Sequence, residues 1–355
     1  MKRVKLNMYL KHNLGDDLFL KVILERYPND MFYIQTNENY KKIKKEYGNV
    51  KVYGKYKNML LKFKYLLTHK RPFEHVKGKC DLMVTLGGSM FQETNNTNLK
   101  ENINNIYFKQ YKPYYIIGSN FGPYKTDYYK KCFKEVFRKA KCVNFREKYS
   151  YDLFKDLDNV NYYPDIIFNL NINDFKIKEE KEVFMSLMNL DNDMYFTRIK
   201  ELISFFRKKG YKINLISFCK AEGDEEAIDK IVKSVGKDRI DIYKYYDDIN
   251  SILNVLAKSE VVVATRFHAT ILGLLFNKTV IPIIYSQKTQ NVLNDLGFKG
   301  TIINDFDKFN ISELTNDSLS YKLDIKDKTK NKSMHFKELD EVLKWVKKNY
   351  YLIIQ

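Results

Sequence analysis

The chain has 355 residues, 44% hydrophobic and 15% aromatic, a composition that excludes intrinsic disorder and a length that exceeds one compact core. Lys and Arg outnumber Asp and Glu by 62 to 44, for a formal net charge of +18, which suits an anionic substrate, an anionic membrane surface or nucleic acid. Nearly all of it is lysine in a chain rich in Lys, Asn, Ile and Tyr, so part of the charge reads as compositional background. The scarce arginines carry more information, because a guanidinium grips phosphate or carboxylate in a fixed fork.

From the start, strands and helices alternate. Residues 4–10 read as a strand, 16–26 as a helix, 31–36 as a strand, 38–47 as a charged helix and 50–53 as a short strand. Residues 57–67 alternate lysine with Leu, Phe and Tyr at helical spacing. That pattern fits an ordinary surface helix or a basic helix lying on a membrane. Strands follow at 81–86, running into Gly87-Gly88-Ser89, and at 114–118, running into Ser119-Asn120. A helix at 127–140, a strand at 142–145 ending at Arg146, a helix at 147–156 and a strand at 160–163 ending at Pro164-Asp165 complete the first half.

The polar run 169–182 breaks the pattern and marks a domain boundary. Strands at 183–188, 212–218, 239–243, 261–264 and 279–285 then alternate with helices at 194–209, 225–234, 247–259 and 266–276. Lys288 opens a further helix that closes before Gly297. Residues 304–332 are polar and weakly patterned, and 336–350 form a last amphipathic helix containing Trp345. Such alternation predicts parallel sheets with helices on both faces. The expected fold class is α/β: two Rossmann-like domains, 1–172 and 173–332, facing across a cleft, with a terminal helix over 333–355.

Cys80, Cys132, Cys142 and Cys219 show no C-x-x-C spacing and form no metal-ligand pattern with the five histidines. They read as reduced core residues, and no metal or cofactor is expected. The N-terminus runs straight into a strand, and no apolar run approaches a membrane span. The expectation is a cytoplasmic protein, with a basic face suited to the inner membrane surface.

The polar chemistry collects in loops at strand carboxyl ends, where ligands bind in open α/β sheets. After the first strand, Gly15 permits a tight turn and Asp16 serves either as helix cap or as substrate contact. Gly87, Gly88 and Ser89 let a ligand approach backbone, with Gln92 close behind. Arg146 sits at a strand end, with a salt bridge to Glu147 or Asp152 as the alternative to ligand binding. Gly223-Asp224 reads as a cap. In 260–288, a buried strand ends at Thr265, which the pattern makes the N-cap of a helix carrying Arg266 and His268 in its first turn. That end is electropositive, and Lys288 adds a cation on the same edge.

Taken in order, N-L-G-D-D at 13–17, L-G-G-S at 86–89, G-S-N-F-G-P at 118–123, R-E-K-Y-S at 146–150, Pro164-Asp165 and T-R-F-H-A at 265–269 with Y-S-Q-K at 285–288 resemble the polysaccharide pyruvyl transferase family. The resemblance runs from residue 4 to about residue 298. It implies a GT-B-like fold and transfer of a pyruvyl group from phosphoenolpyruvate to two sugar hydroxyls as a cyclic ketal. It further implies His268 as catalytic acid, Arg146, Arg266 and Lys288 around the donor, and a lipid- or nucleotide-linked saccharide as acceptor. Gly15, Asp16, Gly87, Gly88, Ser89, Gln92, Ser119, Asn120, Asp165, Thr265 and Ser286 are the expected substrate contacts. The alternative is a glycosyltransferase of the same architecture using a nucleotide sugar. A nucleic-acid binder is disfavoured, because no recognition module is visible.

Overall fold

A computed structural model of the chain describes residues 1–53, 80–94, 113–343 and the single positions Leu99 and Ile103. The chain forms two compact units: Met1–Leu10, Phe19–Asn169 and Asn331–Gln355 make the first, and Lys11–Leu18 with Leu170–Lys330 make the second. The expected helix over 57–67 and Trp345 lie outside the described residues.

In the first unit, β1 (Arg3–Asn7), β2 (Met31–Gln35), β3 (Val50–Tyr53), β4 (Leu82–Leu86), β5 (Tyr114–Ser119), β6 (Cys142–Phe145) and β7 (Val160–Tyr162) form one sheet. Its order is β3-β2-β1-β4-β5-β6-β7, all parallel. Every residue of β4, β5 and β6 is buried, as a sheet covered on both faces requires. The helix Asp127–Arg138 opens on Thr126, whose hydroxyl accepts from the Tyr129 N–H. Its Phe133 and Phe137 pack edge-on against Phe91, and Phe121 meets Phe154 at 4.8 Å between ring centres. The expected helix 147–156 is shorter, Lys148–Asp152, and continues as turns.

The second unit holds β8 (Glu180–Ser186), β9 (Lys212–Ser217), β10 (Ile240–Lys244), β11 (Ser259–Ala264) and β12 (Thr279–Pro282). The order is β10-β9-β8-β11-β12, again all parallel. Each sheet reverses its winding once, between β1 and β4 and between β8 and β11. The crevice at such a reversal is where open α/β sheets take ligands. The polar run after residue 300 is part of this unit: Ile303, Phe309 and Leu314 are buried in its core. With Phe306 and Ile311 packed against the same core, the five apolar residues among these twelve positions keep neither a strand nor a helix period.

Two segments group otherwise than a single cut near residue 172 would place them. Residues 11–18 belong to the second unit, where the Leu14 N–H donates to the Phe218 carbonyl at 3.0 Å and Tyr245 donates to Asp17 at 2.8 Å. Residues 331–343 belong to the first unit. There Asp340 receives Arg26 Nε at 3.0 Å and the Tyr27 hydroxyl at 2.7 Å, and the Arg26 guanidinium lies 4.6 Å over the Phe336 ring.

Candidate functional site

In the second unit the loops leaving β8, β9 and β11 meet at the switch point. The helix Phe267–Leu275 follows β11, and its N-cap is Arg266, not Thr265. Thr265 is fully buried, and its hydroxyl is engaged with the Tyr195 hydroxyl at 3.2 Å. The cap lies one residue later because the Arg266 N–H is taken by Ser186 Oγ, 3.1 Å away at the end of β8. His268 therefore stands in the first helical turn, half-buried and edge-on to Phe267 at 5.0 Å.

Gly15 fixes how the imidazole sits. A methyl group on Gly15 would overlap the His268 ring at Nδ1, so only glycine lets the ring rest against this backbone. Asn13, not Asp16, caps the helix Leu14–Arg26: its Oδ1 accepts from the Gly15 N–H at 3.0 Å. Asp16 is buried in the first turn.

Arg266 is not an open cation. Asp224 binds it side-on, receiving Nε at 3.1 Å on one oxygen and Nη2 on the other, while Glu222 receives Nη1. Asp224 also accepts the Phe218 and Cys219 N–H groups at 2.8 and 3.0 Å, so its carboxylate anchors the β9 loop and does not cap its helix. Burial raises the Asp224 carboxyl, and Arg266 with the backbone donors only partly offsets this. Burial works against the Arg266 charge, yet the two carboxylates outweigh it and hold the guanidinium above its ordinary value. Glu222 lies below its ordinary value: burial raises it, but Arg266, Asn13 and Lys288 more than compensate. Asn13 Nδ2 donates to Glu222 at 3.1 Å. Lys288 Nζ sits 5.9 Å from the Phe267 ring and 5.7 Å from Tyr285. It lies in the first turn of the helix Gln287–Leu296, whose N-cap is Ser286, and the buried Ser286 Oγ has no hydrogen-bond partner among the described residues. A buried hydroxyl of that kind calls for a partner.

In the first unit the loops after β4, β5 and β6 build a separate network. Gly87 has a φ of +66°, and a methyl there would overlap Phe19. Ser119 donates to the Gly87 carbonyl at 3.2 Å, and the Asn120 N–H donates to that of Gly88 at 3.4 Å. Ser89 donates to Asn120 Oδ1 at 3.1 Å, and Arg146 Nη2 donates to the same oxygen at 2.7 Å. Arg146 Nη1 pairs with Asp165 at 3.1 Å, with 1% and 0% of the two side chains exposed. The partner is thus neither Glu147 nor Asp152. Glu147 instead receives Ser150 at 2.7 Å, and Asp152 pairs with Lys148. Burial raises the Asp165 carboxyl, with Arg146 and the Ile167 N–H pulling it back. So enclosed, Arg146 holds Asn120 and Asp165 in place. The Gln92 carbonyl accepts the Tyr129 hydroxyl at 3.0 Å.

Glu222, Tyr245 and His335 are partners of these loops that local sequence pattern did not single out. His335 is fully buried, with Nε2 2.8 Å from the Pro164 carbonyl, one residue before Asp165. Glu222-Gly223-Asp224, two carboxylates flanking a glycine just past a strand, was the available signal for the Arg266 clamp. Among the described residues no group of three or more His, Cys, Asp or Glu side chains is placed to hold a metal ion, and no helix is long and apolar enough to cross a membrane.

A family model described as polysaccharide pyruvyl transferase matches residues 13–287. No curated protein matches the chain. Among solved structures, Alr3699/HepE of Anabaena in complex with UDP and glucose is similar over 100% of this chain and 99% of its own, at 11% identity and a TM-score of 0.55. MnaA of S. aureus with UDP is similar over 84% of this chain and 88% of its own, at 11% identity and a TM-score of 0.51. At such identities the likeness is one of fold: two α/β units with parallel sheets, as in GT-B proteins.

Proposed function

Since this chain belongs to the polysaccharide pyruvyl transferase family, we propose that it moves the pyruvyl group of phosphoenolpyruvate onto two hydroxyls of a saccharide as a cyclic ketal. The observation that carries the reading is His268 in the first turn of the helix at the second unit's switch point, set against Gly15. It follows Arg266 closely in the chain and adjoins Phe267, whose ring lies 5.9 Å from Lys288 Nζ. Phosphoenolpyruvate is a small frame bearing a phosphate and a carboxylate, and cations with a helix N-terminus suit it. The Ser286 hydroxyl supplies one more donor.

His268 delivers a proton to the methylene carbon, giving an oxocarbenium-like centre. One sugar hydroxyl attacks the oxocarbenium carbon, the one bearing the carboxylate and the phosphate oxygen, and returns a proton to the imidazole. The C–O bond to phosphate breaks with both electrons going to the phosphate oxygen, and the second hydroxyl attacks the same carbon to close the ring, its proton ending on the departing phosphate. A group titrating near neutral pH is suited to both protonation and deprotonation. In the first unit, the loops carrying Gly87, Gly88, Ser89, Gln92, Ser119 and Asn120 are held in shape by Arg146 and Asp165. The acceptor is a saccharide carried on a nucleotide or lipid diphosphate, made in the cytoplasm or at the inner membrane face.

A second reading, a glycosyltransferase using a nucleotide sugar at the same helix end, is favoured by one observation: the solved structures sharing the fold hold UDP. Thermal shift decides between them, since a ligand that binds the folded state raises Tm. Phosphoenolpyruvate is expected to raise it in the absence of any nucleotide sugar. A rise with UDP-sugars and none with phosphoenolpyruvate transfers the assignment to the second reading.

A further inference from the structure

We infer that Glu222 is a displaceable counter-ion, a carboxylate that occupies the edge of Arg266 until an anionic group of the donor takes its place. The inference rests on the donor site proposed above and adds to it a residue that tunes affinity. Two carboxylates hold one guanidinium, and they are held differently. Asp224 is fully enclosed, binds two Arg266 nitrogens and two backbone N–H groups, and begins a twelve-residue helix. Glu222 has a third of its side chain exposed and ends a three-residue turn, followed by Gly223 at a φ of +82°. Its ties are Arg266 Nη1 and Asn13 Nδ2.

Asp224 alone balances the guanidinium. Glu222 brings the trio to a net charge of −1, which opposes a phosphate or carboxylate arriving at the same edge. Lys288, close enough to stabilise the Glu222 carboxylate, is the cation that the displaced group leaves available to the ligand. An incoming anion therefore replaces Glu222 at Nη1, while Asp224 keeps the guanidinium oriented. A carboxylate that is strapped by its backbone does not yield in this way; one on a short turn beside glycine does.

The probe is inorganic phosphate, titrated calorimetrically into the wild-type chain, Glu222→Gln and Glu222→Ala, with melting curves for each. Both variants are expected to bind phosphate about fivefold more tightly, the scale of losing one partly exposed ion pair. The KM for phosphoenolpyruvate is expected to fall in parallel. Glu222→Gln keeps the shape and decides the matter if the alanine variant melts early. Phosphate affinity unchanged or weakened in a folded Glu222→Gln overturns the inference, as does absence of binding in all three proteins. Because the titration uses neither phosphoenolpyruvate nor acceptor, its failure leaves pyruvyl transfer standing. Failure of pyruvyl transfer, in turn, leaves the titration readable.

Discussion

Gly15 and His268 are locked by shape: the His268 imidazole occupies the space that any side chain at Gly15 would need. The relation joins the first loop of the chain to the second unit, and it accounts for a glycine in the first turn of a helix, where glycine lowers helix stability. A Gly15→Ala variant is expected to fold, with the His268 ring pushed aside. Misplacing a catalytic group by about 1 Å costs on the order of 10²-fold. Steady-state kinetics is expected to show that loss in kcat, with a melting temperature near that of the wild type. Wild-type kcat in Gly15→Ala removes the imidazole from the chemistry.

Replacing His268 itself separates binding from turnover. A positioned acid contributes about 10²–10⁴-fold, so His268→Ala is expected to lose that much in kcat with little change in phosphoenolpyruvate affinity. Isothermal titration with phosphoenolpyruvate beside a turnover assay reads both.

Arg146 and Asp165 form a fully enclosed pair, and removing one partner strands the other's charge. Arg146→Ala is expected to destabilise the protein by about 3–5 kcal/mol, and Arg146→Met with Asp165→Leu to recover much of it. Urea denaturation measures both. A destabilisation below about 1 kcal/mol in Arg146→Ala contradicts the positioning role and returns the residue to direct contact with a ligand.

His335 gives the first unit a dependence on acid. Burial lowers it from 6.5 to about 4, against the raising effect of the Pro164 and Tyr163 carbonyls and with a smaller lowering effect of Arg146. The folded state keeps the ring neutral, whereas the unfolded chain takes a proton below pH 6.5. Its contribution is therefore complete above pH 6.5, shrinks as pH falls, and is gone near pH 4, a swing of about 3 kcal/mol. Carboxylates titrate over part of the same window, so the comparison is with His335→Gln, which keeps a donor to Pro164. Denaturation midpoints from pH 7 to 4 are expected to fall more steeply in the wild type than in the variant.

The alternation of apolar runs and helical patterns made both parallel sheets legible, because a strand buried on both faces writes its burial into consecutive residues, as in β4, β5 and β11. It also placed Gly15, Arg266, His268 and Lys288 at strand ends. What it did not disclose are the pairings over long separations. Arg146 finds Asp165 nineteen residues on, and Arg266 finds Asp224 forty-two residues back. Local pattern offered near neighbours for the first, Glu147 and Asp152, and an anionic ligand for the second. Likewise Thr265 satisfies every local rule for an N-cap, yet Tyr195, seventy residues earlier, takes its hydroxyl. Residues 11–18 were read with the strand they follow, while Phe218, Glu222 and Tyr245 hold them in the second unit.

The central claim is that His268 passes a proton to the methylene carbon of phosphoenolpyruvate during ketal formation. The direct measurement is mass spectrometry of the product made in deuterium oxide from phosphoenolpyruvate and lipid- or nucleotide-linked sugars. The wild type is expected to release phosphate and yield a pyruvyl ketal whose methyl group carries one solvent deuterium, with product formation by His268→Ala slowed about 10²–10⁴-fold. Phosphate release without a ketal, a ketal methyl free of deuterium, or product formation by His268→Ala at the wild-type rate contradicts the account.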